Sequence, residues 1–560
     1  MVGRILSSIT APVRGLHQAA YVLAGLTLAS QALALLRDRI FAHSFGASDV
    51  LDLYYAAFKV PDLVFALVAS LVSAYVLIPR IAGGKREESK RLISQTASFL
   101  VIAGGMLCAV LAIHARPILF ALFPDAIASA DADGFVLLAQ ILLIQPILLG
   151  LSGIATSVTQ VKRRFVLFAL SPVLYNLGII AGTVFLYPLY GLPGIGIGVV
   201  AGALAHLVIH IPVLAAEHML PQLTFPSPGV LWEVMRDSVP RSLALAMGSV
   251  TALILTILAA RTGEGSIAVL SLALNLQAVP LSLIAASYAT AAFPVLSETM
   301  ESKRYDAFKA TLSAAARHIV FWSAILSVLI LVMRAHIVRI VLGTGAFDWD
   351  ATRLTAAILA LLIVGLMAQG LVLLASRAFY AAKKSWNPLL IQVAGLVVSV
   401  AGALGLLSLA TTFPGIRYFI EALLRVEDVP GTDVLLIATG AMLGQVATGV
   451  LALVTLQNVA PGVSKSLARP MLEGAAAAIL GGASAYGVLS FLGNLAPATT
   501  LAYVFTEALL AGMVGLAVSA AVLALLANKE FKDLMDSLKR LRLSTALKPS
   551  GQVLSDRTDA

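Results

Sequence analysis

The sequence contains very little cysteine and very little charge. Cys108 is the only cysteine among 560 residues, and Asp, Glu, Lys and Arg together make up 12% of the chain. A single cysteine excludes an intrachain disulfide and a cysteine-based metal site. Soluble domains carry about 25% charged residues. The composition therefore argues against a soluble globular protein.

The familiar sequence motifs of enzymes are also missing. The chain has no GxxxxGK[ST] phosphate-binding loop and no HExxH or GxSxG motif, which carry ATP hydrolysis, zinc-dependent hydrolysis and serine chemistry. A lipid-modifying transferase would need clustered loop carboxylates to hold Mg²⁺ and diphosphate. Asp348 and Asp350 come nearest to such a cluster, and they fall on the predicted outer side. We therefore expect no enzyme, no metal and no cofactor, and we interpret the chain as a transporter powered by a gradient or by its substrate.

Long apolar runs dominate the remainder of the chain. Hydrophobic residues make up 59% of the sequence, and the mean hydropathy is +0.95. Runs of about 20 apolar residues predict membrane helices. This pattern indicates an all-α polytopic membrane protein with about 14 transmembrane helices. The predicted spans are approximately 18–42, 51–79, 91–114, 134–160, 165–189, 192–215, 239–260, 266–295, 311–337, 353–380, 387–411, 433–458, 468–493 and 499–527.

The positive charges are distributed unevenly between the two sides of the membrane. Of the 38 Lys and Arg residues, 27 fall at the chain ends and in alternate loops, whereas seven fall in the opposite loops. Basic loops stay preferentially in the cytoplasm, so we predict that both termini are cytoplasmic. The net charge of +9 is explained by these topology signals, and no nucleic-acid partner is expected.

The two halves of the chain carry similar proline patterns. Pro61 and Pro280 stand at matching places in the second and eighth predicted spans, and Pro172 and Pro388 each follow a basic loop. The sequence offset is nearly the same for both pairs, which predicts two six-helix lobes around a central cavity, with two further helices appended. The predicted segments are a cytoplasmic N-terminus 1–17, lobes 18–215 and 239–458, a cytoplasmic linker 216–238, C-terminal helices 468–527 and a basic tail 528–560.

Two of these prolines could have a mechanical role. Pro61 and Pro280 each remove a backbone hydrogen bond from a predicted membrane helix, which bends the helix. They could act as hinges or cavity walls, or they could be ordinary kinks.

Charged side chains cluster in the first two predicted helices. Arg37 and Asp38 lie in the first, and Asp52 and Lys59 lie in the second, on one helical stripe with Tyr55 and Asp62. An ionised group at bilayer depth is unfavourable by about 2.5–3.5 kcal/mol, so such groups usually face a partner or a water-filled cavity. We interpret this cluster as a substrate site in which Arg37 meets an anionic phosphate and Asp38 orients Arg37.

Two alternatives to this interpretation stay open at the level of sequence. The same charges could form ion pairs that only hold the two helices together. Arg39 and Asp52, near the outer end of their helices, could simply extend toward the membrane surface.

The basic, amphipathic start of the tail after Asn528 is suited to anionic lipids.

Several short motifs resemble the lipid II flippase (MurJ) family of the multidrug/oligosaccharidyl-lipid/polysaccharide exporter superfamily. They span both halves of the chain in the family's order, and fourteen spans is the family's usual number. The motifs are Arg37-Asp38, Phe45-Gly46-Ala47, Asp52, Ala56-Ala57-Phe58-Lys59-Val60-Pro61, Ser171-Pro172-Val173-Leu174-Tyr175-Asn176, Gly345-Ala346-Phe347-Asp348, Arg377-Ala378-Phe379-Tyr380-Ala381 and Asn387-Pro388.

The resemblance implies a bacterial inner-membrane protein with a V-shaped cavity between two lobes. That cavity would accept the diphosphate and sugar head of an undecaprenyl-linked peptidoglycan precursor, and the last two helices would hold its lipid tail. Cell-wall synthesis proteins would be further partners, and a monovalent cation gradient or the membrane potential would supply energy. Two alternatives stay open: an exporter of another lipid-linked oligosaccharide or of drugs in the same superfamily, or a membrane scaffold that does not transport. Seen against the family, Arg37, Asp52 and Lys59 are retained, whereas Gln31, Phe65 and Asn275 stand where arginines are usual.

Overall fold

Helices are the only regular elements in the described part of the chain. The computed structural model describes residues 16–68, 74–162, 164–225, 227–495, 500–533 and 535–536. The helices are α1 Leu16–Phe45, α2 Asp49–Ala57, α3 Lys59–Val68, α4 Ala74–Gly83, α5 Arg86–Ile113, α6 Ala115–Leu122, α7 Ala132–Val161, α8 Val166–Tyr190, α9 Leu192–Ala216, α10 Pro228–Ala260, α11 Ser266–Glu301, α12 Tyr305–Val341, α13 Trp349–Val364, α14 Leu366–Ala381, α15 Trp386–Thr412, α16 Gly415–Leu424, α17 Val434–Leu456, α18 Val463–Leu495 and α19 Leu501–Leu525.

The all-helical membrane fold predicted from the sequence is confirmed. Among the described residues, 11 helices are long and apolar enough to cross a membrane, or 12 if α13 and α14, which meet at a bend of 47°, form one span. The charged helices α1 to α4 are not among them. The number of 14 spans and the predicted segment boundaries therefore stay predictions. Residues 1–15 of the N-terminus, 69–73 of the second span, and 534 and 537–560 of the tail lie outside the described residues.

Both prolines singled out in the sequence coincide with an irregularity of their helix. α2 ends at Ala57 and α3 begins at Lys59, and Ala57 supplies the carbonyl that an N–H at position 61 would bond if this residue were not proline. Pro280 stands two residues before a π-helical turn at Ser282–Ala286, a widening that frequently marks functional sites. Whether either position moves as a hinge stays a prediction.

Glycine allows α8 and α9 to pack in direct backbone contact. A Cβ atom on Gly198 would lie 2.4 Å from the Cα of Gly182, and one on Gly202 would lie 2.6 Å from the carbonyl oxygen of Tyr175. Small residues at such crossings let membrane helices approach closely enough for dispersion contacts. This packing fixes the position of α8, which carries Tyr175 and Asn176.

The last two helices form an antiparallel pair on one side of the molecule. α18 and α19 pack against each other and against α12. The hydroxyl of Ser519 on α19 donates to the carbonyl of Ala477 on α18, at 3.0 Å. The buried Glu507 on α19 lies 3.5 Å from His336 on α12. The pair is therefore attached to the second half of the chain by polar contacts as well as by apolar packing.

Candidate functional site

Arg37 and Asp38 lie at the centre of a buried polar cluster. The guanidinium donates from Nε at 3.0 Å and from Nη2 at 2.8 Å to Oδ1 of Asp38, and from Nη1 at 3.2 Å to Oδ1 of Asn176 on α8. Asn275 on α11 donates at 3.2 Å to the other oxygen of Asp38. Three helices, α1, α8 and α11, thus meet at one ion pair, and α11 belongs to the other half of the chain.

The geometry of this cluster leaves hydrogen-bonding capacity for a ligand. The Asp38 residue is 2% exposed, whereas the side chain of Arg37 is 19% exposed. A guanidinium has five N–H donors, and only three of them are used in the described contacts. Both interpretations of the sequence are therefore compatible with the structure, because Arg37 links helices and still has donors for an anion. Its role in binding stays a prediction.

Aromatic side chains pack beside the ion pair. The guanidinium carbon of Arg37 lies 6.0 Å from the centre of the Phe41 ring, and Phe41 contacts Tyr54 and Tyr55 edge-on. The hydroxyl of Tyr55 is buried and has no hydrogen-bond partner in the described part of the chain. A buried hydroxyl without a partner is unfavourable, so Tyr55 is a candidate for contact with a bound polar group.

Asp52 lies apart from this cluster and binds backbone instead. Its Oδ2 accepts from the N–H of Gly265 and its Oδ1 from the N–H of Ala268, both at 2.7 Å. These N–H groups belong to the start of α11, so a carboxylate on α2 caps a helix from the other half of the chain. The helix dipole stabilises a negative charge at this end. Each oxygen of Asp52 therefore has a partner in the other half of the chain, and its predicted part in the substrate site stays a prediction.

Loops from the two halves also meet close to Asp52, in what we call the junction: residues 43–48, 261–265 and 340–348. Arg39 donates to the carbonyls of Ile340 and Val341 at 2.6 and 3.2 Å. It therefore caps the end of α12 and does not simply extend toward the membrane surface. The backbone N–H of Ala346 donates to the carbonyl of His43 at 3.0 Å.

Two motif glycines are required for the junction to close. Gly46 and Gly345 both have positive φ, at +65° and +60°, and a Cβ atom on Gly46 would lie 2.5 Å from the carbonyl oxygen of Ala346. The Phe45-Gly46-Ala47 and Gly345-Ala346-Phe347 motifs of the sequence therefore pack directly on each other. Only glycine accommodates both the backbone conformation and the contact.

The remaining sequence-predicted residues have contacts of their own, and one of them, Asn275, joins the cluster. Gln31 donates from Nε2 to the hydroxyl of Ser282 in the π-helical turn of α11, at 2.9 Å. Lys59 lines a cavity within the second half of the chain. Pro61 is buried in the first turn of α3. Among the residues that stand at usual arginine positions, Asn275 is the one with a described contact to the Arg37–Asp38 pair.

One residue of the site was not selected from the sequence. Asn176 on α8 accepts a hydrogen bond from Arg37, and no pattern in the sequence pairs the two residues. Asp62, which the sequence placed on the stripe of Asp52 and Lys59, has an exposed side chain.

The described residues contain no group of three or more His, Cys, Asp or Glu side chains that could hold a metal ion. The His206 and His210 pair is bound to hydroxyls. Ser152 lies 2.7 Å from Nδ1 of His206, and Thr156 and Thr159 lie 3.1 and 3.0 Å from the two ring nitrogens of His210. These contacts join α7 to α9.

The geometry defines a class of protein: a polytopic membrane protein whose two halves meet at a buried ion pair and at a closed junction. A family model described as lipid II flippase MurJ matches residues 41–416, about two thirds of the chain. The chain belongs to this family.

Individual relatives agree with this assignment. Lipid II flippase MurJ of Burkholderia cenocepacia is 25% identical over 399 residues, covering 69% of this chain and 77% of the relative. The probable lipid II flippase MurJ of Thermotoga maritima is 26% identical over 417 residues, covering 72% of this chain and 83% of the relative.

Solved structures show the same fold. A lipid II flippase MurJ in an inward closed conformation matches with a TM-score of 0.69 at 18% identity, over 91% of this chain and 100% of its own. A multidrug resistance MATE family transporter of the MOP superfamily, in an inward-facing conformation, matches with a TM-score of 0.62 at 16% identity. The match covers 80% of this chain and 99% of the transporter.

Proposed function

We infer that this protein is a lipid II flippase, which moves the lipid-linked peptidoglycan precursor from the inner to the outer leaflet of the bacterial cytoplasmic membrane. The family match over residues 41–416 carries this inference. The structure supports it, because Arg37, which can bind phosphate, lies between the two halves and not on the lipid-facing surface. The family is one of transporters, so no catalytic centre is required.

Alternating access assigns a role to the junction. We propose that the junction lies on the outer side of the membrane and both termini lie in the cytoplasm, as the distribution of Lys and Arg predicts. With the junction closed, two contacts seal the outer side. Asp52 binds the start of α11, and Arg39 binds the end of α12. Release of substrate to the outer leaflet then requires these contacts between halves to separate.

The charged residues divide into binding and gating roles. Arg37 and Lys59 hold the diphosphate of the undecaprenyl-linked substrate, Asp38 and Asn275 orient Arg37, Gln31 lies at the edge of the site, and Asp52 gates. Pro61 and Pro280 bend the helices that move. The C-terminal helices α18 and α19 hold the lipid tail.

No cofactor is assigned to this cycle. A monovalent cation gradient or the membrane potential supplies the driving force, anionic lipids bind the basic tail, and cell-wall synthesis proteins consume the product. Gln31, Phe65 and Asn275, in place of the arginines usual in the family, weaken diphosphate binding, since each charge-assisted contact contributes about 1.5–3 kcal/mol.

The experiment that tests the function is growth rescue of bacteria depleted of their own lipid II flippase. Wild type, Arg37→Ala and Arg116→Ala are compared at equal membrane expression. Arg116 is a matched control because its ion pair with Asp133 is exposed and lies outside the site. We expect rescue by wild type and Arg116→Ala and none by Arg37→Ala. Rescue by Arg37→Ala would remove Arg37 from the site, and failure of well-expressed wild type would count against lipid II as substrate.

A further inference from the structure

Two arginines without a carboxylate partner in the described part of the chain lie where α12, α16 and α18 meet. Arg334 on α12 donates from Nη1 to the carbonyl of Leu331 at 3.0 Å and from Nη2 to the carbonyl of Leu424 at 3.5 Å. Leu424 is the last residue of α16, and Arg425 follows it directly. The guanidinium groups of Arg334 and Arg425 are close enough to act on each other electrostatically. Because like charges repel, this pair is unfavourable unless an anion binds beside it.

The carboxylates around this pair face other arginines. The contacts are Arg353 with Asp428 at 2.6 Å, Arg417 with Glu421 at 3.3 Å and with Asp433 at 3.6 Å, and Arg353 with Glu427 at longer range. Among the described residues, no acidic side chain lies within ion-pair distance of Arg334 or Arg425. The positive charge of the pair is therefore not balanced by the protein locally.

The pair also has hydrogen-bond donors to offer a ligand. A guanidinium has five N–H donors, and the described contacts of Arg334 use two of them. Arg334 is half-buried, whereas Arg425 is exposed, so a ligand can reach the pair from outside the protein. Arg425 lies beside the hydroxyl of Tyr486 on α18, which adds a third hydrogen-bonding group. Polar groups from three parts of the chain therefore come together at one accessible place.

The helix beside the pair has the character of a membrane-surface helix. On α16, Tyr418, Phe419 and Leu423 are 56%, 67% and 63% exposed, whereas Ile420 and Leu424 pack on the apolar core. A short helix that has apolar side chains toward its surroundings and arginines at its border is typical of the level at which lipid head groups lie. The apolar side chains of α16 are therefore placed to contact lipid chains, and the arginines are placed to contact lipid phosphates.

Charge and position together select the class of ligand. Guanidinium groups bind phosphate oxygens in charge-assisted hydrogen bonds, and the exposed apolar face of α16 favours a phosphate that carries a lipid chain. We propose that Arg334, Arg425 and Tyr486 bind the phosphate of an anionic membrane lipid. Val341, about two turns beyond Arg334 on α12, belongs to the junction, so the lipid binds on the junction side of the membrane. The site is separate from the Arg37 cluster, and it does not require that the protein transports lipid II.

The test is native mass spectrometry of the purified full-length chain in detergent, titrated with phosphatidylglycerol or with undecaprenyl phosphate. An Arg37→Gln background removes binding at the Arg37 cluster, and the basic tail contributes equally to every variant. We expect Arg334→Gln and Arg425→Asn each to weaken binding of the preferred lipid by about tenfold. Arg116→Gln is the matched control, because this arginine is predicted on the same side of the membrane and is paired with Asp133. The lipid that binds more tightly identifies the source of the phosphate.

Three results would overturn the proposal: the Arg37→Gln background binds neither lipid, both further substitutions leave binding unchanged, or Arg116→Gln weakens it equally, which would indicate a general effect of charge. Arg425→Asn keeps the test valid if Arg334→Gln does not fold, since asparagine tolerates the positive φ of +62° at this position. Growth rescue is a separate readout. Lipid binding that depends on Arg334 and Arg425, without rescue by wild type, would count against lipid II transport and leave the lipid site in place.

Discussion

Asp38 shows how a single residue can determine the character of the site. Both of its oxygens are bonded, one to Arg37 and one to Asn275, and it is almost fully buried. Removal of one partner of a buried ion pair leaves an uncompensated charge, which destabilises a protein more than removal of both partners does. Asp38 is therefore expected to be needed for stability as well as for orienting Arg37.

The first prediction compares Asp38→Ala with the double variant Arg37→Ala/Asp38→Ala. We expect the single variant to lose about 3 kcal/mol, the lower end of the range for a broken buried pair, because the Arg37 side chain keeps 19% exposure. The double variant should lose less. Thermal unfolding of the purified protein measures both, and equal losses would show that the ion pair has no energetic coupling.

At this scale the sequence predicted the charges and the pairing of Arg37 with Asp38, but not the partners of Asp52. The spacing of Asp52 and Lys59 placed them on one stripe, yet α2 ends at Ala57 and the two residues belong to different helices. Asp52 binds backbone N–H groups from the other half of the chain. Backbone donors have no sequence signature, so this partner could not have been predicted from residue types.

Among the elements, the contact between α2 and α11 is the one that tests alternating access. The Asp52 carboxylate accepts two hydrogen bonds from the first turn of α11, and each charge-assisted bond contributes about 1.5–3 kcal/mol. In the proposed alternating-access cycle these bonds break when the junction opens, so their loss should favour the open state.

The second prediction is that Asp52→Asn opens the junction. An amide retains one acceptor and loses the charge, so we expect the ratio of open to closed molecules to rise about tenfold. Spin labels at Ala128→Cys and Arg261→Cys, in a Cys108→Ser background, report the distance between the halves. Asp49→Asn is the matched control, since its carboxylate accepts from Ser129 of the same half. An unchanged distance distribution in Asp52→Asn would exclude a gating role.

The third prediction concerns the glycine contact of α8 and α9. Gly198→Ala should destabilise the protein by about 1–3 kcal/mol, because its Cβ would lie 2.4 Å from Gly182. Gly153→Ala on α7 is a control that should stabilise the protein: a Cβ there would meet no described side chain or neighbouring helix within 4 Å, and alanine favours a helix by about 0.5–1 kcal/mol. Thermal unfolding of the two variants tests this, and similar shifts would contradict it.

For the whole molecule, composition and apolar runs were sufficient to predict an all-helical membrane protein. The division into two lobes, which rests on the proline offsets, stays a prediction. The number of 14 spans stays a prediction, because the second predicted span corresponds in the described residues to α2, α3 and α4, which have 9, 10 and 10 residues. The charges of Arg37 and Asp52 have tertiary partners, such as Asn176 and the first turn of α11, which are too distant in the sequence for a local hydropathy average to include.

The fourth prediction is that joining the halves at the junction stops transport. Nδ1 of His43 and Oγ1 of Thr344 lie 3.1 Å apart across the junction. His43→Cys and Thr344→Cys can therefore be linked by a short thiol cross-linker in a Cys108→Ser background. Transport of lipid II in proteoliposomes should fall to background after linking and return when a cleavable linker is cut. Arg116→Cys with Asp133→Cys, linked within one half, should transport normally. Continued transport by the linked His43–Thr344 pair would mean that substrate crosses without separation of the junction, and alternating access at this side would have to be abandoned.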